Sequence, residues 1–379
     1  MDATAAAAPD RSLLDLVATL RRHFESVVLP MWSGPGFNAE KGLPYEALVV
    51  GHQLQALPVQ RYRTMACARQ LYVFSRAMSA DAAAHAAVLF DSLCRYFCHP
   101  EGGWLYSVGP DGEPLDTTQD LYTYAFVVFA CAAYYRNSRD PRALSKLLDT
   151  AALIETHFRA RGGLYWPQLT ADFSTPLRDV EQNPVMHLTE AYLEARECAE
   201  RSCFTQALRR IADEMAAVFV HGATDTLTEL RAGSAGNRIE PGHQFEWYSL
   251  VQQAPQVFAP TLLAEIVPRA CGYAQDHGVD PMTEGVHAAL AMDGSVADAA
   301  QRIWAQTEYA RALALRAAQG MEPEGWARLQ RQLGRLHERF LHPRGWHEVL
   351  NPDGSVARRD MPSTTPYHLA TCYAALPSA

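Results

Sequence analysis

Apolar residues recur at helical spacing along the chain, and Gly, Pro and Asp mark the breaks. This pattern predicts helices over 11–28, 61–79, 81–98, 119–137, 141–160, 184–200, 203–220, 243–255, 259–277, 297–318, 322–341 and 365–376. Twelve helices make six pairs. The stretch LYTYAFVVFACAAYY from Leu121 to Tyr135 is apolar on nearly every side, whereas 141–160 and 322–341 carry charge on one face. A helix apolar all round must be covered on all sides, so inner helices are expected to alternate with amphipathic outer ones. The expected fold is all-α, an (α/α)6 barrel of six helix pairs, in one domain over residues 1–379 without a Pro/Ser-rich linker. An open solenoid would need a self-similar period of about 34 to 45 residues, and the chain shows none.

A weaker echo interrupts the helices. GGWLYSVGPDGEPLD (102–116) and RGWHEVLNPDGSVARRD (344–360) share Gly-Trp followed by Pro-Asp-Gly, and GGLYWPQL (162–169) opens similarly. Asp-Gly between short apolar runs signals a hairpin. Small hairpins are therefore expected in the loops at one mouth of the barrel.

Composition narrows the chemistry. The chain has 379 residues, 42 acidic against 33 basic, for a net charge of -9, and no basic run that would hold nucleic acid. Only Lys41 and Lys146 are lysines, so no phosphate-binding G-x4-G-K-[ST] loop can be written and Schiff-base chemistry is disfavoured. The start, MDATAAAAPDRSLLDL, lacks the basic region of a secretory signal. No stretch reaches the roughly 18 apolar residues of a membrane span, so a cytoplasmic protein without membrane partners is expected. Of the eight cysteines, Cys94 and Cys98 stand one turn apart beside His99, and Cys198 and Cys203 flank a helix junction. No second pair completes a zinc-ligand pattern. Reduced thiols, no metal and no cofactor are the expectation, which leaves the fourteen histidines as candidates for proton transfer.

Three histidines stand at helix starts. In EQNPVMHLTEAYLEA, Asn183 has N-cap chemistry, Pro184 fits the first helical position, and Asn183, His187 and Glu190 share one face. Glu194 and Glu197 continue that stripe, so a plain solvated face explains it equally well. In EPGHQFEWYSLV, a helix starting after Pro241-Gly242 places His243, Glu246, Trp247 and Leu250 together. A buried His and Glu require partners, and a satisfied core pair is the alternative. In STTPYHLATCYAAL, Thr365 can cap, Pro366 can lead, and His368 is the only ionisable group of the helix. Helix dipole and desolvation both disfavour imidazolium there, so His243 and His368 are expected to be biased toward the neutral form near pH 7.

Other residues suit a polar solute. Arg69 lies in an apolar helix and needs an acceptor, which a structural Arg–carboxylate pair would also supply. Trp304, Glu308 and Arg311 share a face, matching either a sugar ring or a surface ion pair. Histidine bases and carboxylates, with few cations and no phosphate cradle, suit proton abstraction beside a carbonyl of a neutral sugar through an enediol.

The ordered series ARQLYVFS (68–75), GGW…DGEPLDTTQDLYTYAF (102–126), NPVMHLTEAYLEA (183–195), EPGHQFEW (240–247), WAQTEYARAL (304–313) and TPYHLA (365–370) resembles the N-acylglucosamine 2-epimerase superfamily. The resemblance runs from about residue 30 to 376 and is specific as a set. It implies an (α/α)6 barrel, catalytic histidines at His243 and His368, and a sugar pocket lined by Arg69, Tyr122, Asn183, His187, Glu190, Glu246, Trp304 and Glu308. Tyr124 and Ala305 depart from residues common in the family, and either could reshape the pocket. The GHQFEW and QTE wording is most similar to the mannose isomerase branch. That branch implies a metal-independent aldose–ketose isomerase acting on a small monosaccharide, D-mannose and D-fructose or D-lyxose and D-xylulose, through a cis-enediol, as a monomer or homodimer. A sugar 2-epimerase using the same two histidines is the second expectation. An inverting glycoside hydrolase using Glu246 and Glu308, or a non-enzymatic helical interaction protein, stands further off.

Overall fold

The computed structural model describes residues 8–99, 102–160, 162–199, 201–321 and 324–378. Residues 1–7 of the segment read for a targeting signal, and residues 200 and 322–323 at expected helix ends, lie outside these. Among the described residues, twelve helices of ten residues or more build the layers, beside two short ones at Leu29–Ser33 and Pro255–Phe258: α1 (Arg11–His23), α2 (Thr64–Arg76), α3 (Ala80–Phe97), α4 (Leu121–Ser138), α5 (Pro141–Leu153), α6 (Gln182–Ala195), α7 (Arg201–Phe219), α8 (Pro241–Gln253), α9 (Leu262–Gly278), α10 (Ile303–Ala318), α11 (Gly325–Phe340) and α12 (Pro366–Ala375). Single π turns, Phe24–Val28 and Ile154–Phe158, prolong α1 and α5.

The even-numbered helices are buried along nearly their whole length and pack in the order α2, α4, α6, α8, α10, α12 and back to α2. The ring is closed, and the fold is the (α/α)6 barrel expected from the alternation of apolar and amphipathic helices. Outer helices such as α11 bury one stripe, including Leu329, Leu333, Leu336 and Phe340, and expose Ala327, Arg331, Arg335 and Glu338 on the opposite side. At the seam, α1 lies against α11 and α12. No helix among the described residues is long and apolar enough to cross a membrane.

A second closure operates at one mouth. The short strand that leads into each inner helix pairs with the corresponding segment of the next pair: 62–63 with 107–108, 119–120 with 168–169, 181 with 230, 239 with 290, and 301–302 with 349–350. Residues 360–362 then pair back with 47–49. These ladders correct three expected boundaries. Residues 62–63, 119–120 and 301–302 are strand rather than helix, because their backbone groups are taken by a neighbouring hairpin before the helical ladder begins.

The Pro-Asp-Gly echoes are hairpins, as expected, with Gly112 and Gly354 in the left-handed region and Asp111 and Asp353 each accepting a backbone N–H two residues on. A further copy, Asp293-Gly294, lacks the proline and the tryptophan that would have marked it. In the 162–176 segment Phe173 takes the left-handed position that glycine holds elsewhere.

Candidate active site

All six inner helices present their N-terminal turns to the hairpin-bearing mouth, and this is why residues at helix starts converge. Arg69 from α2, Tyr122 from α4, Asn183 and His187 from α6, His243 and Glu246 from α8, Trp304 from α10 and His368 from α12 line one cavity of about 330 Å³. The indole of Trp304 is its central wall, with ring centroids 5.0 Å from His243 and 5.7 Å from His368. A Cβ on Gly242 would stand 2.6 Å from Trp304 Cη2, so glycine in the first turn of α8 lets the indole lie against that helix.

Both histidines are oriented through Nδ1, which leaves Nε2 for the cavity. His368 Nδ1 is 2.9 Å from Glu308 Oε1, and Glu308 is in turn 3.3 Å from Arg311 Nη1. His243 Nδ1 is 2.8 Å from Glu229 Oε1. The amide of Gln182 fixes that carboxylate: its Oε1 accepts from Trp247 Nε1, and its Nε2 donates to both Glu229 oxygens at 3.0 and 3.1 Å. With Trp247 setting the amide orientation, the proton on His243 Nδ1 is donated to Glu229.

The two imidazoles are pushed apart in basicity. Burial depresses His368 well below its ordinary value, and the guanidinium of Arg69 adds to this. Burial also opposes charge on His243, but the carboxylates of Glu229 and Glu240 outweigh it and hold His243 above its ordinary value. The expected bias toward the neutral form is therefore reversed at His243. That expectation considered only burial and the helix end, whereas two carboxylates arrive from the preceding loop.

The solvated-face alternative for α6 fails as well. His187 is 4% and Glu190 5% exposed. Burial lowers His187 to about 4, and its ring packs on Tyr122 and Phe126 at 4.7 and 5.0 Å. Asn183 does not cap: α6 begins at Gln182, with Glu181 preceding it. Nor does Thr365 cap α12 through its side chain; its hydroxyl donates to Glu348 at 2.8 Å.

Glu190 and Glu308 stand behind the cavity wall rather than on it. Tyr367 donates to Glu190, and Arg311 lies 3.7 Å from Glu190 and 3.3 Å from Glu308. The surface-pair alternative for Glu308 and Arg311 is excluded, since both are buried. Burial raises Glu308 to about 7 against the pull of Arg311, and burial with the neighbouring Glu308 and Glu190 carboxylates raises Glu246 well above the usual range. Among the described residues Arg69 forms no ion pair with a carboxylate; it donates to the Thr364 carbonyl at 3.3 Å. Its guanidinium lies 4.1 Å from the Phe126 ring centroid and donates to the Tyr122 hydroxyl at 2.6 Å.

Residues 51–372 match the family described as N-acylglucosamine 2-epimerase (GlcNAc 2-epimerase). The chain belongs to the N-acylglucosamine 2-epimerase family. Among its relatives, the mannose-6-phosphate isomerase of Rhizobium meliloti (strain 1021) is 27% identical over 365 residues, covering 90% of this chain and 91% of that one. The fold is shared with the crystal structure of a D-mannose isomerase (TM-score 0.84, 19% identity, 97% of this chain and 99% of that one). It is shared equally with cellobiose 2-epimerase from Spirochaeta thermophila DSM 6192 (TM-score 0.84, 22% identity, 96% of each chain).

Sequence reasoning missed Glu229, Arg238, Glu240, Arg302 and Glu348, all of which line the family member's cavity. Glu229 sits in an irregular loop with no local signal. Glu348 lies within the 344–360 echo, whose placement at the mouth was the available clue.

Proposed function

We propose that the chain is a metal-independent aldose–ketose isomerase that interconverts D-mannose and D-fructose, with D-lyxose and D-xylulose as the shorter pair. The observation that carries the reading is the convergence of His243 and His368 on Trp304 in a cavity otherwise lined by hydrogen-bonding groups. An environment that separates two titratable groups assigns the acid and the base. Neutral His368 takes the C2 proton through Nε2, the electron pair forms the C1–C2 double bond, and imidazolium His243 protonates the carbonyl oxygen. The cis-enediol then collapses: its O2 proton returns to His243 as the C2 carbonyl forms, and His368 delivers its proton to C1. Helix N-termini facing the cavity favour the oxyanion character of this intermediate.

The charge of the lining favours a neutral sugar. Arg178 and Arg238 are already paired with Glu181 and Glu240. A phosphate would have to compete with those carboxylates for the guanidinium groups.

The relatives favour a second reading, 2-epimerisation, in which the two histidines serve opposite faces of C2. Incubation with mannose in D2O separates them: fructose carrying deuterium at C1 is the expected first product. Glucose as the first product replaces the isomerase by the epimerase, and absence of exchange from any neutral aldose removes both.

Glu229 provides a further test. Because His243 must be protonated, activity falls as pH rises through its raised pKa. Glu229→Gln removes a carboxylate that raises it, so the alkaline limb of the rate profile should move to lower pH by roughly 1–3 units. An unmoved limb would show that His243 is not the acid.

A further inference from the structure

We propose that a divalent transition-metal ion, zinc or cobalt, binds at the cavity wall through His187 and Glu246, which line it, and Glu190 behind them, and that the ion acts there as an inhibitor. His187 Nδ1 lies 3.6 Å from Glu190 Oε2 and 3.8 Å from Glu246 Oε1. These gaps are too long for hydrogen bonds. Two ligand atoms on a tetrahedral zinc ion stand roughly 3.3–3.5 Å apart, given metal–ligand distances of about 2.0–2.2 Å, so the two edges at His187 need a contraction of only a few tenths of an ångström, and all three ligand atoms lie within 4.8 Å of one another.

The donors are also unsatisfied. His187 Nδ1 and both oxygens of Glu246 are buried without a hydrogen-bond partner, and Glu246 is 0% exposed. Buried polar atoms left in this state cost stability, which a ligand would recover. Glu190 Oε2 already accepts from Tyr367, and a carboxylate oxygen retains a second lone pair for an ion. Packing of the His187 ring between Tyr122 and Phe126 fixes the direction of its nitrogen.

Two neighbouring groups of suitable type differ in this respect. In the set Glu246, Glu308 and His368, the imidazole Nδ1 is already bonded to Glu308 at 2.9 Å. In the set Glu229, Glu240 and His243, the carboxylates are engaged by His243 at 2.8 Å and by Arg238 at 2.6 Å. One imidazole with two carboxylates and an open coordination position suits zinc or cobalt better than calcium or magnesium, which prefer all-oxygen shells.

Binding of the ion follows from geometry alone, whereas its inhibitory effect rests on the sugar-pocket reading above, since it would immobilise His187 and Glu246. The test is titration of the full chain with cobalt(II), read by visible absorption. The expected result is a saturable one-to-one spectrum, displaced by zinc and abolished by a chelator. His187→Gln should weaken binding at least about tenfold, while His368→Gln should leave it unchanged. Should His187→Gln fail to fold by circular dichroism, Glu246→Gln serves in its place with the same expected loss. Lack of a one-to-one complex, loss in His368→Gln rather than His187→Gln, or a near-ultraviolet thiolate–cobalt band would each overturn the site. Mannose should displace the cobalt. If it does not while the spectrum stands, the inhibitory role fails and the metal site remains.

Discussion

Replacing His368 by Gln should reduce turnover by about 10²- to 10⁴-fold, the usual contribution of a positioned acid or base, and should abolish deuterium incorporation from D2O. Glutamine can keep a hydrogen bond to Glu308 but cannot accept a proton from carbon. The loss should appear in kcat, because the imidazole acts on the reacting proton and the remaining lining still holds the sugar. Glu308 orients the imidazole through Nδ1, and burial disfavours the imidazolium, so the wild-type Nε2 is available as a base at neutral pH. The measurement is steady-state kinetics together with mass-resolved exchange. Wild-type turnover in the variant would remove His368 from the reaction whatever the sugar.

The largest effect on stability is expected at Arg311. Its guanidinium is 3% exposed and stands beside Glu190 and Glu308, two carboxylates that are themselves buried. Removing one partner of a buried ionic group typically costs about 3–5 kcal/mol, because the remaining charge is left uncompensated. Arg311→Met keeps an apolar side chain of comparable length and so isolates the electrostatic part. The loss should depend on pH in a definite sense. Without the guanidinium the folded-state pKa values of both glutamates rise, so the variant's fold holds those protons to higher pH than the wild-type fold does, while the unfolded chains are alike. Stability of the variant should then fall, relative to wild type, as pH increases from the wild-type folded values, below the ordinary glutamate range for Glu190 and about 7 for Glu308, through the raised ones. Urea midpoints at pH 5 and pH 8 measure this. A midpoint equal to wild type at both would show that the two carboxylates are balanced by other groups.

Much of the architecture was legible because it depends on one-dimensional pattern. The helix from Leu121 onward is apolar all round and is an inner helix; Gly325–Phe340, within the stretch expected at 322–341, has a charged face and is an outer one. Six such pairs close into a ring because each inner helix must bury all its sides. The boundaries at 62–63, 119–120 and 301–302 were misread because strand pairing with the next hairpin is a contact between distant segments that local periodicity does not carry. The candidate site was legible where residues sit in helix first turns, as with His187, His243 and His368. It was not where they sit in loops, as with Glu229, or where partners come from different helices, as with Arg311 between Glu190 and Glu308.

The charge states show the division most clearly. From residue order alone follow the ring of inner and outer helices, the near absence of lysine that removes phosphate-loop and Schiff-base chemistry, and the presence of imidazoles at helix starts. These depend on side-chain type and on 3.6-residue spacing. The tertiary structure decided that His243 is raised by Glu229 and Glu240 while His368 is lowered by burial and Arg69. The physical reason is that a pKa responds to burial and to charges a few ångströms away in space, and in a closed barrel those charges come from segments tens or hundreds of residues apart.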